Sequence, residues 1–258
     1  MHIPNIICSA KSGGDWTQNE LDAFNIHVVV EDMATFFGSP NLPAPTVDPI
    51  ILTDLYTPSG PLTKSTRLFF RYLGDIIGSF PYSSAIVTFT SHLLGLLGYD
   101  EPDRVLHHQT EIRFIMCGAR VEAKPDICLL DSDDEYILLV QEDKRRRSTE
   151  NPESQLIAGA IAAFHENDRR RSLLGLPAAQ AKTFVGITIF STVPTFYKIP
   201  ITSDLLRSVR TGQFPPQQTV VHKLITPFPF RKTYRNGMHP LENRRIVLQC
   251  FEALKRFV

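Results

Sequence analysis

A chain of 258 residues with 43% hydrophobic content is long enough to bury one large core and too apolar for a disordered protein. Its 27 basic and 27 acidic residues cancel, which excludes a uniformly basic nucleic-acid coat but leaves room for a local basic patch. Cys8, Cys117, Cys128 and Cys250 lie too far apart in sequence for a zinc knuckle or a CxxC redox pair; a chain of this size does not need disulfides, so reduced thiols and an intracellular setting, nuclear or cytoplasmic, are expected.

The opening stretch MHIPNIICSAKSGGDW has neither a basic n-region nor an apolar h-region, so no signal peptide is expected. Thr17-Gln-Asn-Glu20 has capping-box spacing and should open a short helix, with a strand at His27–Val30 after it. Residues 37–63 are rich in Pro, Ser and Thr and predict an irregular connection. A helix should begin near Ser65, with Leu68, Phe69, Tyr72, Leu73, Ile76 and Ile77 on one face, and stop at Gly78 and Pro81. Residues 76–99 contain no Asp, Glu, Lys or Arg, but Pro81, His92 and several Gly, Ser and Thr residues favour a buried helix, Ser84–Leu97, over a membrane span.

Strands are expected at Glu111–Cys117, Ile127–Leu130 and Tyr136–Val140, the last two joined as a hairpin by the polar turn Asp131–Glu135. Tyr136–Val140 is apolar at every position, so both its faces should be covered, as in an α/β layer. Asn151-Pro152-Glu153 suits a helix start, with a cap, a first-turn proline and an acid for the dipole. Strands at Thr183–Phe190, Thr195–Ile201 and Thr219–Leu224, a short helix at Asp204–Arg210 and a last helix from Pro240 complete the chain.

Chemistry concentrates at the end of the hairpin. The first strand opens on Pro125-Asp126 and the second closes on Glu142-Asp143-Lys144, and register places Asp126 opposite Gln141 or Glu142. Two carboxylates suit a hard divalent cation such as Mg²⁺ or Mn²⁺, with the Asp143 carbonyl as a further ligand. An adjacent ammonium can stabilise charge developing on a phosphoryl group. The other acidic-x-Lys, Glu122-Ala-Lys124, lacks the apolar run before it and the helix after it. There is no Gly-rich phosphate loop and no G-x-S-x-G elbow, which disfavours NTPase and serine-hydrolase chemistry.

Pro125-Asp126 followed after fifteen residues by Glu142-Asp143-Lys144 resembles the signature of the PD-(D/E)xK, or restriction-endonuclease-like, nuclease superfamily. The resemblance implies an αβββαβ core, a mixed central sheet flanked by helices, over roughly residues 83–202. Residues 1–82 and 203–258 would then be helical additions to one domain. It implies Asp126 and Glu142 at the metal, Lys144 as catalytic lysine, and Gln155 as the glutamine that RecB-type members carry on the following helix. Gly159 stands where those members place a tyrosine. Lys124, Arg145, Arg146 and Arg147 become the contacts to DNA or RNA, and many nucleases of this type work as homodimers. LVQEDKR, NPESQLIAGAIAAF and PLENRRIVLQCFEALKRF are also similar to segments of proteins from mushroom-forming fungi, a similarity that brings no activity with it. Many superfamily members supply a further Glu from the first core helix, and Ser84–Leu97 has no acidic residue. The expectation is therefore a metal-dependent nuclease, with a catalytically decayed binding module of the same fold as the alternative.

Overall fold

A computed structural model describes residues 7–77, 83–144, 151–229 and 236–258. The chain is built around a mixed sheet of seven strands, in the order β1-β9-β8-β7-β6-β5-β2. These strands are β1 (Ile26–Val30), β2 (Val105–His108), β5 (Ile127–Leu130), β6 (Tyr136–Glu142), β7 (Ala181–Phe190), β8 (Val193–Thr202) and β9 (Thr219–Ile225). Two further strands, β3 (Ile112–Met116) and β4 (Ala119–Ala123), form a separate antiparallel ribbon.

Helices cover both faces. On one side lie α2 (Met33–Phe37), α3 (Pro49–Thr53), α4 (Lys64–Ile77), α5 (Ser83–Leu96) and α8 (Leu241–Leu254), whose apolar side chains meet Ile127, Leu129, Leu138 and Val140. On the other lie α1 (Gln18–Ala23), α6 (Pro152–Leu173), α7 (Ser203–Thr211) and the β3–β4 ribbon, packed on Cys128, Leu130 and Leu139. The apolar β6 is thus enclosed on both faces. Pairing is antiparallel between β5 and β6 and parallel between β6 and β7. Parallel neighbours need a crossover, and α6 supplies it. Its start follows from the local sequence: the Asn151 side chain accepts from the backbone N–H groups of Glu153 and Ser154, and Pro152 occupies the first turn.

Several sequence expectations change. Residues 37–63 contain α3, capped by the Asp48 side chain, because a cap and Pro49 nucleate one helical turn inside an otherwise extended stretch. The strand expected at 111–117 lies outside the central sheet: β3 folds back on β4 and packs against α6, and β2 takes the place beside β5. The flanking segments are not purely helical, since β1 and β9 pair with each other and β9 extends the sheet from β8. Gly78 and Pro81, expected to end α4, lie outside the described residues. Among the described residues no helix is long and apolar enough to cross a membrane.

The N-terminal segment is anchored closely. Thr17 and Glu20 form a full capping box on α1, and the Glu20 carboxylate also receives the Lys11 ammonium at 2.5 Å. Gly13 lies so near the β4–α6 junction that a Cβ there would sit 2.8 Å from the Ala123 Cβ, so only glycine allows this approach.

His165, half-buried on α6, makes stability pH-dependent. Burial, then the Arg210 guanidinium, pushes its imidazole below its usual value. The unfolded chain therefore binds the extra proton first, and stability rises with pH in the window just under about 6.5. Lowering the pH from 7.5 to 5.5 should lower Tm, and His165→Gln should flatten that dependence. Glu20, Glu135 and Glu166, all shifted down, act only at lower pH, in the carboxylate range. An unchanged Tm slope in the variant would contradict the assignment.

Candidate active site

The register Ile127↔Val140 continues to place Asp126 opposite Gln141, one of the two partners that the hairpin pattern allowed. The Asp126 backbone N–H donates to the Val140 carbonyl at 3.0 Å, and the Asp126 carbonyl accepts from Gln109. Its carboxylate turns onto β6, where Oδ2 accepts from the Gln141 side-chain amide at 3.0 Å and from the Glu142 backbone N–H at 2.8 Å. Alternation along β6 sends Leu139, Gln141 and Asp143 toward α6, and Val140 and Glu142 toward α5. The strand end, rather than a shared face, is what brings Asp126 to Glu142.

Asp126, Gln141, Glu142 and Asp143 are only 8%, 6%, 4% and 5% exposed. Ionised side chains are seldom buried unless other groups answer their charge, so three acids enclosed at one strand end are an uncommon arrangement. The Asp143 backbone N–H donates to the Ile189 carbonyl at 2.8 Å, which ties this corner to β7. Lys144 follows directly and is half-buried. Lys124 is exposed two residues before Asp126. Arg145, Arg146 and Arg147 lie outside the described residues.

Gln155 is buried on the first turns of α6, and its amide donates to the Gly14 carbonyl at 2.6 Å. In this arrangement it fastens the N-terminal turn over α6. Beside it, Glu153 receives the Tyr197 hydroxyl at 2.9 Å and the Lys223 ammonium. Thr188, paired with Gln141 across β6 and β7, lies 3.4 Å from the Tyr197 hydroxyl. Gln141, Thr188, Glu153, Tyr197 and Lys223 thus extend the polar corner across four strands and a helix. Of these, Gln141 had a sequence signal: it is a polar residue ending an apolar strand, at one of the two positions register allowed opposite Asp126.

Several polar side chains elsewhere on these elements have structural partners. Lys198 donates to the Phe36 carbonyl and sits over the Phe36 ring. His108 meets Ser91 on α5. Arg169 and Arg170 pair with Glu166, and Arg171 with Glu135. That second basic cluster ends α6, about 30 Å from the helix start, where it complements the dipole. A cleft of 840 Å³ opens there too, lined by Arg113, Arg120, Tyr136, His165, Arg169 and Arg170, and Asp126 does not line it.

Carboxylates are the donor type that a hard divalent cation takes, and the contact between Asp126 and Glu142 is made through the Glu142 backbone N–H. Among the described residues no group of three or more His, Cys, Asp and Glu side chains is arranged to hold a metal ion. No protein-family model matches this chain, and no curated protein matches it in sequence.

Proposed function

We propose that the protein is a metal-dependent nuclease that hydrolyses phosphodiester bonds of DNA or RNA at the Asp126–Glu142–Lys144 corner. The observation that carries this reading is the burial of Asp126, Glu142 and Asp143 together at one hydrogen-bonded strand end, immediately before a lysine. The order α5, β2, β5, β6, α6, β7, with the β3–β4 ribbon inserted after β2, supports an αβββαβ core, with β2, β5 and β6 antiparallel and β7 parallel to β6.

Asp126 and Glu142 would hold Mg²⁺ or Mn²⁺, with the Asp143 carbonyl as a further oxygen. A bound divalent cation makes water nucleophilic near neutral pH and spreads charge on a phosphoryl group. The chain's own contribution is positional. The Gln141 amide and the Glu142 N–H hold the Asp126 carboxylate in place, which limits reorganisation during the reaction. The Lys144 ammonium faces negative charge on the phosphoryl oxygens, and Lys124 with Arg145, Arg146 and Arg147 grips neighbouring phosphates.

Purified protein with Mg²⁺ or Mn²⁺ should cut single- or double-stranded DNA or RNA, and chelation should stop it. Lys144→Ala should abolish cutting while leaving the circular dichroism spectrum and Tm unchanged; full activity in that variant refutes the assignment. A second reading, a decayed nuclease fold serving as a binding module for nucleic acid or protein, is favoured by α5, whose sequence has no carboxylate. Calorimetry separates the two: the enzyme should bind Mn²⁺ at millimolar metal, and the decayed module should not.

A further inference from the structure

The N-terminal segment and the β3–β4 turn bring two thiols together from positions 109 residues apart. The Sγ atoms of Cys8 and Cys117 are 3.2 Å from each other, and both residues are half-buried. The approach does not depend on one flexible side chain. Next to Cys8, the Ile7 N–H donates to the Gly212 carbonyl, while the Cys117 N–H donates to the Val209 carbonyl and the Gly118 N–H to the Arg210 carbonyl. Both cysteines are therefore docked on the same C-terminal turn of α7. Cys117 itself has φ +48°, a left-handed turn conformation that keeps its thiol directed at this junction. The Lys11 N–H, in contact with the Met116 sulfur at 3.3 Å, pins the segment beside the ribbon once more.

We propose that Cys8 and Cys117 are an oxidative modification site, closed to an intramolecular disulfide by a small-molecule disulfide such as oxidised glutathione. The thiolate of one cysteine attacks a sulfur of the oxidant, forming a mixed disulfide and expelling one small thiolate. The thiolate of the other cysteine then attacks the protein sulfur of that mixed disulfide, forming the Cys8–Cys117 bond and expelling the second small thiolate. Two protein thiols are oxidised, one small disulfide is reduced to two thiols, and the protons lost by the protein pass to the expelled thiolates.

Closing from 3.2 Å to a bond of about 2.0 Å asks for roughly 1 Å of movement, within the reach of side-chain rotation. Burial, the Cys117 thiol and the Glu20 carboxylate push the Cys8 thiol up to about 12, with Lys11 opposing them. Exchange is therefore slow at neutral pH and faster in alkali. The bond would lock down the segment that covers α6, whose Gly14 carbonyl receives Gln155 and whose Trp16 is buried in the core. Cys128 and Cys250 are fully buried on strand and helix, out of reach of the oxidant.

The intact protein, incubated with oxidised glutathione at pH 8.5, should lose two of its four titratable thiols per chain. Peptide mapping without reduction should return one linked species joining the Cys8 and Cys117 peptides. Because the bond closes a long loop of the unfolded chain, Tm should rise by about 5 °C or more and return on reduction. In Cys8→Ser and in Cys117→Ser the remaining thiol should carry glutathione and the Tm gain should vanish. Separate glutathione adducts on Cys8 and Cys117 in the unaltered chain, a link to Cys128 or Cys250, or a linked species with lowered Tm would each overturn the proposal.

Discussion

Asp126→Asn should reduce metal-dependent cleavage by about 100- to 1000-fold while leaving the fold in place. The asparagine side-chain oxygen can still accept from the Gln141 amide and the Glu142 N–H, so both hydrogen bonds that position the side chain survive. What disappears is a negative charge beside Glu142 and Asp143. Losing charge-assisted hydrogen bonds destabilises the corner, and relief of crowding among three buried acids stabilises it; the net change should stay within about 1 kcal/mol. Single-turnover cleavage and a denaturation curve for the same preparation separate the two effects. Undiminished cleavage would remove Asp126 from the mechanism. Cleavage lost only together with cooperative unfolding would make the residue structural.

Arg244→Leu should destabilise the protein by about 3–5 kcal/mol, without touching the candidate active site. The guanidinium of Arg244 is fully buried and donates to five main-chain carbonyls: Ile51, Asp54 and Leu55 around α3, and Met238 and His239 ahead of α8. It also sits over the Phe69 and Phe70 rings of α4. Burial lowers its pKa to about 10, still far above neutrality, so the buried group remains charged. Leucine fills much of the volume but leaves the carbonyls without donors, and a buried unpaired acceptor carries most of the cost. Arg244→Lys should recover part of the loss, since three donors replace five. Urea midpoints at constant m-value measure this; a loss below about 1 kcal/mol would show that water satisfies those carbonyls.

Local chemistry made much of this architecture visible beforehand. The Thr17–Glu20 capping box, the Asn151-Pro152 start of α6 and the apolar β6 are each decided within a few residues, and they appear as expected. The hairpin turn is equally local: the Asp131 backbone and side chain bind back onto the residues that follow, and a register shift between Leu129 and Leu130 then brings Asp126 opposite Gln141. That register carries Asp126 to β6, which is why the candidate corner could be approached from the motif alone.

Other assignments needed the assembled molecule. The stretch 112–116 has the alternation of a sheet strand, yet alternation states only that one face is buried, not against what; α6 and β4 claim it, and the shorter β2 takes the edge of the sheet. Gln155 stands where the resemblance implies a glutamine at the site, but its amide donates to the Gly14 carbonyl, 141 positions away. Arg244 sits beside Arg245 in what looks like a solvated basic pair, and nothing near it in the chain announces five carbonyls from distant turns.

Sequence by itself determined the capped starts of α1 and α6, the apolar strand and the acidic hairpin end, because caps, propensities and turn bonds act between residues that are already neighbours. Only the tertiary structure decided which strands share a sheet, which side chain answers Asp126, and which thiols and carbonyls meet. Those contacts join distant positions, as Arg244 and Ile51 are 193 residues apart, and their pairing depends on how whole faces pack together.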